Sequence, residues 1–409
     1  MTGPAVLVVG AGPAGLAAAR ELATAGVGPV LVVEREAAAG GVPRHCDHNG
    51  FGLQDLRRPL TGPSYARLLI HRATASGVAV RVSTTATDVA DDGSVSLVGP
   101  DGIDVVRPRA VVLATGARER PRSARLVPGD RPAGVFTTGQ LQQWVLLAHL
   151  PVGRRAVVVG AEHVAYSAVL TLRHAGVATV AMVTGLPRHQ TVGAFALATR
   201  VGLRVPLRTS SHVVGLHGHG RLEAVEVEDL LTGAVEHVMA DTVVFTGDWV
   251  PDHELARRAG LTVVPATLGP RADGWGRTSR TGVLAAGNLV HPGETAGLAA
   301  LGGRAVGRRL AVELRSGAVP SGPRGVAVTV ARPLVSVVPP VVDPGDPPHR
   351  LLLRTSEFTG RRLVVARQGG HEVGRHGLRH SVPNRSLSVP GAIVRRAAPD
   401  GGPVELSLV

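Results

Sequence analysis

The opening segment constrains the fold more than any other part of the chain. An apolar run, Val6–Val9, leads into Gly10-Ala-Gly12-Pro-Ala-Gly15, then an alanine-rich helix sequence over 14–25 and a second apolar run, Val30–Val33, that ends on Glu34. A bare Gly-x-Gly-x-x-Gly is a weak signal. Set between a buried strand and a helix, with an acid closing the next strand, it is a dinucleotide-binding fingerprint. Gly10 permits the tight turn, Gly12 lets the backbone approach a pyrophosphate, and Gly15 lets helix and strand pack closely. The helix start offers unpaired N–H groups and a partial positive charge to the phosphates. Glu34 stands where a carboxylate accepts hydrogen bonds from an adenosine ribose. An adenine dinucleotide is expected here.

The same layout returns, altered, in Ala156-Val-Val-Val-Gly160-Ala-Glu162-His163-Val-Ala165. Glu162 replaces the glycine that would approach a pyrophosphate, and Ala165 replaces the third glycine. A carboxylate beside an anionic diphosphate is unfavourable, because like charges at close range repel. This copy is expected to have the fold without the full binding chemistry.

Composition removes several other chemistries. The 409 residues suffice for two or three domains with their own cores. The formal charge of +13 comes from 44 basic residues that are all arginine, in a chain with 2% aromatic residues. That skew reads as a coding bias rather than a nucleic-acid face, since neither stacking platforms nor a reading module is visible. Without lysine there is no Schiff base, pyridoxal-phosphate anchor or Walker-type phosphate loop. The lone Cys46 excludes an internal disulfide, a Cys-x-x-Cys pair and a four-cysteine iron–sulfur site. No apolar run reaches membrane-helix length, and the first apolar run already reads as a strand of the fold rather than a signal peptide. A cytoplasmic protein that binds no nucleic acid is expected.

Further along, the spacing predicts a helix over 64–75, a hairpin around Asp91-Asp-Gly93 and a buried strand over 109–114 that ends in Thr115-Gly116. The proline-rich stretch 118–134 reads as a connection. The second unit continues with a helix over 163–175 and strands over 179–184, 223–228 and 241–245. The strand over 241–245 ends in Thr246-Gly247. A third such ending, Gly287-Asn288, precedes a helix over 294–314 interrupted by Gly297, Gly302, Gly303 and Gly307. Asp252 is expected to N-cap a short helix before Leu255. From about Val319, proline punctuation and short strands predict a small all-β domain.

These motifs together resemble the FAD-dependent pyridine nucleotide–disulfide oxidoreductase class, with a thioredoxin-reductase-like layout over roughly residues 1–318. The segment from Arg118-Glu119-Arg120-Pro121 to Gly139-Gln140 is similar to the flavoprotein subunits of opine or amino-acid dehydrogenases, hydrogen cyanide synthase and heteromeric sarcosine oxidase. The resemblance implies an α/β fold with two Rossmann-like domains. The FAD domain (1–118 and 249–318) would be split by an inserted NAD(P)-type domain (119–248), with the β-rich domain at 319–409. It also implies that Gly10, Gly12, Pro13, Ala14, Gly15, Glu34 and Arg35 hold the ADP half of FAD. Gly40, Gly41, Thr115 and Gly116 would flank the cofactor, and Gly287 and Asn288 would meet its ribityl or phosphate region. Ala296 would turn backbone N–H groups toward the flavin. Asn288 stands where the family carries an acid.

Reactive residues are less distinct. Cys46, between His45 and His48, is a candidate thiolate or nucleophile if an imidazolium lowers its pKa. The alternative is a small residue in a turn-rich loop. No metal site is expected from this group. His291, with Glu294 ahead of the last helix, is a further candidate, as are His253 and Glu254 at the return from the inner domain. Arg188 or His189 stands where a 2′-phosphate would need a cation, so NAD(P) remains an option for the inner domain beside a structural or docking role. The leading expectation is the flavoprotein subunit of an amine, amino-acid or opine dehydrogenase built from several subunits. It would exchange electrons with a partner, a second flavoprotein or a 2Fe–2S protein. A stand-alone NAD(P)H-dependent reductase and a non-catalytic FAD-bound scaffold are the alternatives.

Overall fold

A computed structural model of the chain describes residues 4–409. In chain order its main elements begin with β1 (Val6–Val9), α1 (Pro13–Thr24), β2 (Val30–Val33), α2 (Gly62–Thr74), β3 (Ala79–Arg81) and β4 (Ala110–Leu113). The inner segment supplies β5 (Val135–Thr137), α3 (Thr138–Leu146), β6 (Arg155–Val159), α4 (His163–His174), β7 (Ala178–Val183), β8 (Leu207–Arg208) and β9 (Thr242–Phe245). Next come β10 (Val283–Ala285) and α5 (Ala296–Arg315), then the strands β11 (Val326–Val330), β12 (Leu334–Val338), β13 (Val341–Val342) and β14 (Arg350–Thr355). The last strands are β15 (Arg362–Gln368), β16 (His371–Leu378), β17 (Leu387–Pro390) and β18 (Val404–Leu408). Among the described residues no helix is long and apolar enough to cross a membrane.

The chain divides into two units. One contains the chain up to Arg44, Gly50–Ala117 and Pro251–Val409, and the other His45–Asn49 and Arg118–Val250. The β-rich C-terminal strands therefore group with the first unit, and the short segment around Cys46 with the second.

In the first unit the valine runs form a parallel sheet in the order β10-β4-β1-β2-β3. β1 lies between its two neighbours in register, with Val6 opposite both Val30 and Ala110. Such strands are apolar throughout because both faces are covered. Val6 and Val8 pack under α1, α2 and α5, while Leu7 and Val9 pack against the antiparallel strands over 85–106. Asp91-Asp-Gly93 forms the expected hairpin turn between two of those strands.

α5 runs unbroken through its glycines, and two of them, Gly303 and Gly307, are contact points with α1. A Cβ on Gly303 would sit 2.0 Å from the Ala14 carbonyl oxygen, and one on Gly307 2.5 Å from that of Ala18. Only bare backbone lets α5 and α1 approach this closely. Glu294, expected at the start of this helix, lies before it, and Thr295 is the N-cap.

The inner unit repeats the plan in the order β5-β9-β6-β7-β8. Val158 faces α3 and α4, and Val157 faces a three-stranded antiparallel sheet over 211–239. The stretch 118–134, expected as a bare connection, contains a short 3-10 turn at Arg122–Arg125. The C-terminal strands form two sheets, β13-β11-β18-β15-β16 and β12-β14-β17, around a shared core that includes Leu351, Val364 and Val404.

Candidate functional site

In both units the central strand of the parallel sheet ends at a glycine turn with neighbours on either side, the place where open α/β sheets bind ligands. At the first turn Gly10 has φ +103°, and a Cβ there would stand 2.5 Å from the Ala114 carbonyl oxygen. A Cβ on Gly15 would stand 2.0 Å from the Gly10 oxygen. Both positions therefore require glycine. Gly12 differs: its backbone is extended, and a Cβ there would meet nothing within 4 Å. Its missing side chain leaves space that no protein group uses.

That space faces a helix start suited to anions. α1 has Pro13 in its first turn, no side-chain cap and no acidic residue in the first turn. Its orphan N–H groups and dipole are thus available to a phosphate. Glu34 is nearly buried and accepts from the Ala11 N–H at 2.9 Å and the Glu36 N–H at 3.0 Å. A carboxylate has about four acceptor sites, so two remain for ribose hydroxyls. Gly40 donates to the Ala11 carbonyl at 2.9 Å, and a Cβ on Gly41 would lie 2.9 Å from the Gly12 Cα. The glycine loop thus passes closely over the fingerprint. These residues together fit the adenine-dinucleotide half of FAD.

Other expected residues have protein partners. Arg35 pairs with Asp252 at 2.8 Å, and the Thr115 hydroxyl donates to the Asp252 carbonyl at 2.7 Å. Asp252 is not the N-cap of the short helix that follows; His253 holds that position without a side-chain cap bond. Asp252 instead fastens the strand ends beside the fingerprint. The Asn288 amide donates to the Glu294 carbonyl at 3.1 Å and accepts from its N–H at 3.1 Å, closing the loop between them. An ionised aspartate in this place could not donate to the Glu294 carbonyl, which gives the asparagine a structural reason. At the start of α5, the Ala296 carbonyl accepts weakly from Tyr65 at 3.5 Å.

The second turn has nearly the same backbone and a different occupant. Gly160 has φ +141°, and Glu162 N-caps α4 where Gly12 N-caps α1. The Glu162 carboxylate accepts from the Ala161 N–H at 3.0 Å and from the Thr246 hydroxyl. A Cβ on Gly160 would sit 2.7 Å from one of its oxygens, and one on Gly247 2.8 Å from the other. Burial raises its pKa, opposed by these hydrogen bonds and by Arg125. Gln190 donates to the Ala161 carbonyl at 2.9 Å, as Gly40 does to Ala11, but here a buried glutamine and Thr191 replace the glycine pair. Thr191 is also hydrogen-bonded to His163. The inner cradle is filled by its own side chains.

Cys46 is buried, with its Sγ 3.1 Å from Gln142 Oε1. Burial first, then the nearby Glu119 carboxyl, push its thiol pKa up to about 12. A raised pKa favours the neutral thiol over the thiolate. Burial also raises the pKa of Glu119, which accepts from the Gly139 N–H at 3.0 Å. His45 is likewise buried. His291 Nδ1 lies 2.8 Å from Glu294 Oε1, within ion-pair distance but off the line of a ring N–H bond. Among the described residues no group of three or more His, Cys, Asp or Glu is placed to hold a metal ion.

The functional contacts absent from the sequence reading are those of Glu162 with Thr246, Cys46 with Gln142, and Glu294 with Arg354 and Ser386. Each joins residues distant in the chain, and no local pattern announces them.

Two Rossmann-like units, one with an intact dinucleotide fingerprint, define a dinucleotide-binding fold. Residues 4–307 match the pyridine nucleotide–disulphide oxidoreductase family, and the chain belongs to it. FAD is the cofactor that this family membership implies for the chain. Among curated relatives, it is 33% identical over 286 residues to the alpha subunit of sarcosine oxidase from Corynebacterium sp. (strain P-1), covering 63% of this chain and 28% of that protein. It is 26% identical over 311 residues to an opine oxidase subunit from Agrobacterium tumefaciens (strain Ach5), covering 69% of this chain and 60% of that one. The match spans less than two thirds of either relative. In fold it is similar to thioredoxin reductase of T. acidophilum, with a TM-score of 0.65 at 19% identity, covering 76% of this chain and 99% of that one.

Proposed function

We propose that this chain is the FAD-carrying subunit of a multi-subunit oxidase or dehydrogenase that takes an amine, amino acid or opine as substrate. Its flavin exchanges electrons with a partner protein rather than with NAD(P)H. The observation that carries this reading is Glu162. Its carboxyl takes the backbone N–H and hydroxyl groups at the inner turn, in the position that Gly12 leaves open at the outer one. Two of the relatives are named as oxidase subunits, which supports a partner.

In this reading Gly10, Gly12, Pro13, Ala14 and Gly15 present the start of α1 to the pyrophosphate, and Glu34 accepts from the ribose. Gly40 and Gly41 bring bare backbone over the cofactor, and Thr115 and Gly116 border it. Arg35 acts through Asp252, which holds the strand ends in place. Asn288 retains one donor and one acceptor site beyond its bonds to Glu294, enough to meet a hydroxyl. Bound FAD supplies two-electron acceptance from a C–N substrate bond. The buried Cys46 thiol takes no part as a nucleophile.

The test is anaerobic titration of the purified FAD-loaded chain with NADH and with NADPH, followed at the flavin absorption bands. No bleaching within minutes is expected. Rapid bleaching by either nucleotide without a partner would overturn the proposal in favour of a stand-alone reductase.

A further inference from the structure

The loop between β10 and α5 is held by the C-terminal β domain as well as by its own chain. Glu294 Oε1 gathers Arg354 Nη2 at 2.7 Å, His291 Nδ1 at 2.8 Å and the Ser386 hydroxyl. The same Arg354 nitrogen donates to the Pro292 carbonyl at 2.7 Å, and its other donates to Asn384 at 2.8 Å. Burial alone would raise the Glu294 pKa, but His291, Arg354 and Ser386 together hold it below the ordinary value. From Glu294 the contacts continue through its backbone to Asn288 and then to Gly287, where a Cβ would lie 2.5 Å from the Ala14 side chain at the start of α1. One continuous path thus joins Arg354 to the first turn of the fingerprint helix.

Docking of the β domain does not depend on this contact alone. Arg309 of α5 pairs with Asp346 at 3.0 Å, and the Arg324 N–H donates to Asp273 at 3.2 Å. The domain is therefore tied down elsewhere. The Glu294 cluster, by contrast, lies on the segment assigned to the flavin half of the cofactor.

We propose that Arg354, acting through Glu294, is a positioning residue that sets the loop Gly287–Thr295 for FAD binding. The β domain thereby becomes part of the cofactor site. This inference rests on the assignment of Gly287 and Asn288 to FAD. A carboxylate held by a charged, hydrogen-bonding partner loses its orientation when that partner is removed, and the loop it anchors gains freedom that FAD must then restrict.

The test uses the full chain, stripped of FAD and titrated with it, with flavin fluorescence and the visible band positions recorded. Arg354→Gln is expected to raise the Kd for FAD about tenfold and to shift the bands, as expected for the loss of one charge-assisted contact. Ser386→Ala, the milder change, is expected to act in the same direction by about threefold. Arg309→Gln loosens the other domain tie and is expected to leave the Kd within about twofold of the parent. Parent-like Kd and bands in both Arg354→Gln and Ser386→Ala would overturn the inference, even if their thermal stability falls. So would an equal loss in Arg309→Gln, which would show general docking at work. Gly12→Glu serves as a separate arm. If it removes FAD while the two β-domain variants do not, the inference fails and the fingerprint assignment stands; if it leaves FAD bound, the assignment itself fails.

Discussion

At Gly12 the first fingerprint turn has φ −79° and ψ −177°, and at Glu162 the second has φ −89° and ψ 175°. Both residues N-cap a twelve-residue helix that follows a central parallel strand. In both, the preceding alanine N–H finds a carboxylate, from Glu34 at the end of the next strand in one case and from Glu162 itself in the other. The position matching Glu34 in the inner copy is Thr184, whose hydroxyl accepts from Leu186 instead. The backbone is thus the same in the two copies, while the acid has moved from the rim of the cradle into its centre. A scaffold can keep its geometry and lose its ligand through one side chain, because the site consists of backbone groups and empty volume.

The largest effect should come from making the outer turn like the inner one. Gly12→Glu places a carboxylate in open space, so folding should survive by circular dichroism. FAD affinity should drop about 100-fold or more through repulsion of the diphosphate and lost volume. Retention of FAD at parental affinity would break the comparison.

The reverse exchange should have a smaller effect. Glu162→Gly with Ala165→Gly reopens the inner cradle, and NADH affinity should rise about tenfold or more over the parent by nucleotide fluorescence titration. Gln190 and Thr191 still cover the turn, which limits the gain. No gain would show that this cover, rather than Glu162, closes the site.

Two buried carboxyls should respond to pH with opposite signs. The Glu162 pKa is raised above the ordinary 4.5, so the folded state holds the proton more tightly, and stability falls as pH rises from there through the raised value. Glu162→Gln removes this cost, so its advantage in Tm should grow as pH rises above 4.5. The Glu294 pKa is lowered, so its contribution is present above 4.5 and is lost as pH falls through the lowered value. Glu294→Gln should therefore be most destabilised near neutrality. Parallel pH profiles for the two variants would contradict the assignment of environments.

Cys46 should show the smallest effect. With a pKa of about 12, its thiolate fraction at pH 8 is about one part in 10⁴. Thiol reagents should label it only after unfolding, and Cys46→Ser should change flavin reduction by the physiological electron donor less than about twofold. Fast labelling of the folded chain would restore it as a reactive residue.

Much of this was legible along the chain. Val6–Val9 and Val30–Val33 read as buried strands because both faces of a parallel sheet are covered, and Gly10 and Gly15 read as glycines required by close backbone contacts. Glu162 was visible as an obstacle, although its partners were not. Asn288 read as a departure from an acid, and its amide also closes a loop by using a donor that an ionised aspartate lacks. Asp252 read as a helix cap and instead fastens Arg35.

The sequence by itself determined the buried strands, the helices between them and the glycine turn at Gly10. These follow from periodicity, glycine sterics and short-range backbone bonding, whose partners lie close in the chain. Tertiary structure decided that Thr246 meets the Glu162 carboxyl, that burial raises the pKa of the Cys46 thiol, and that Arg354 reaches the loop ahead of α5. Those outcomes depend on burial and on charges brought together from distant segments, and neither exists until the chain has folded.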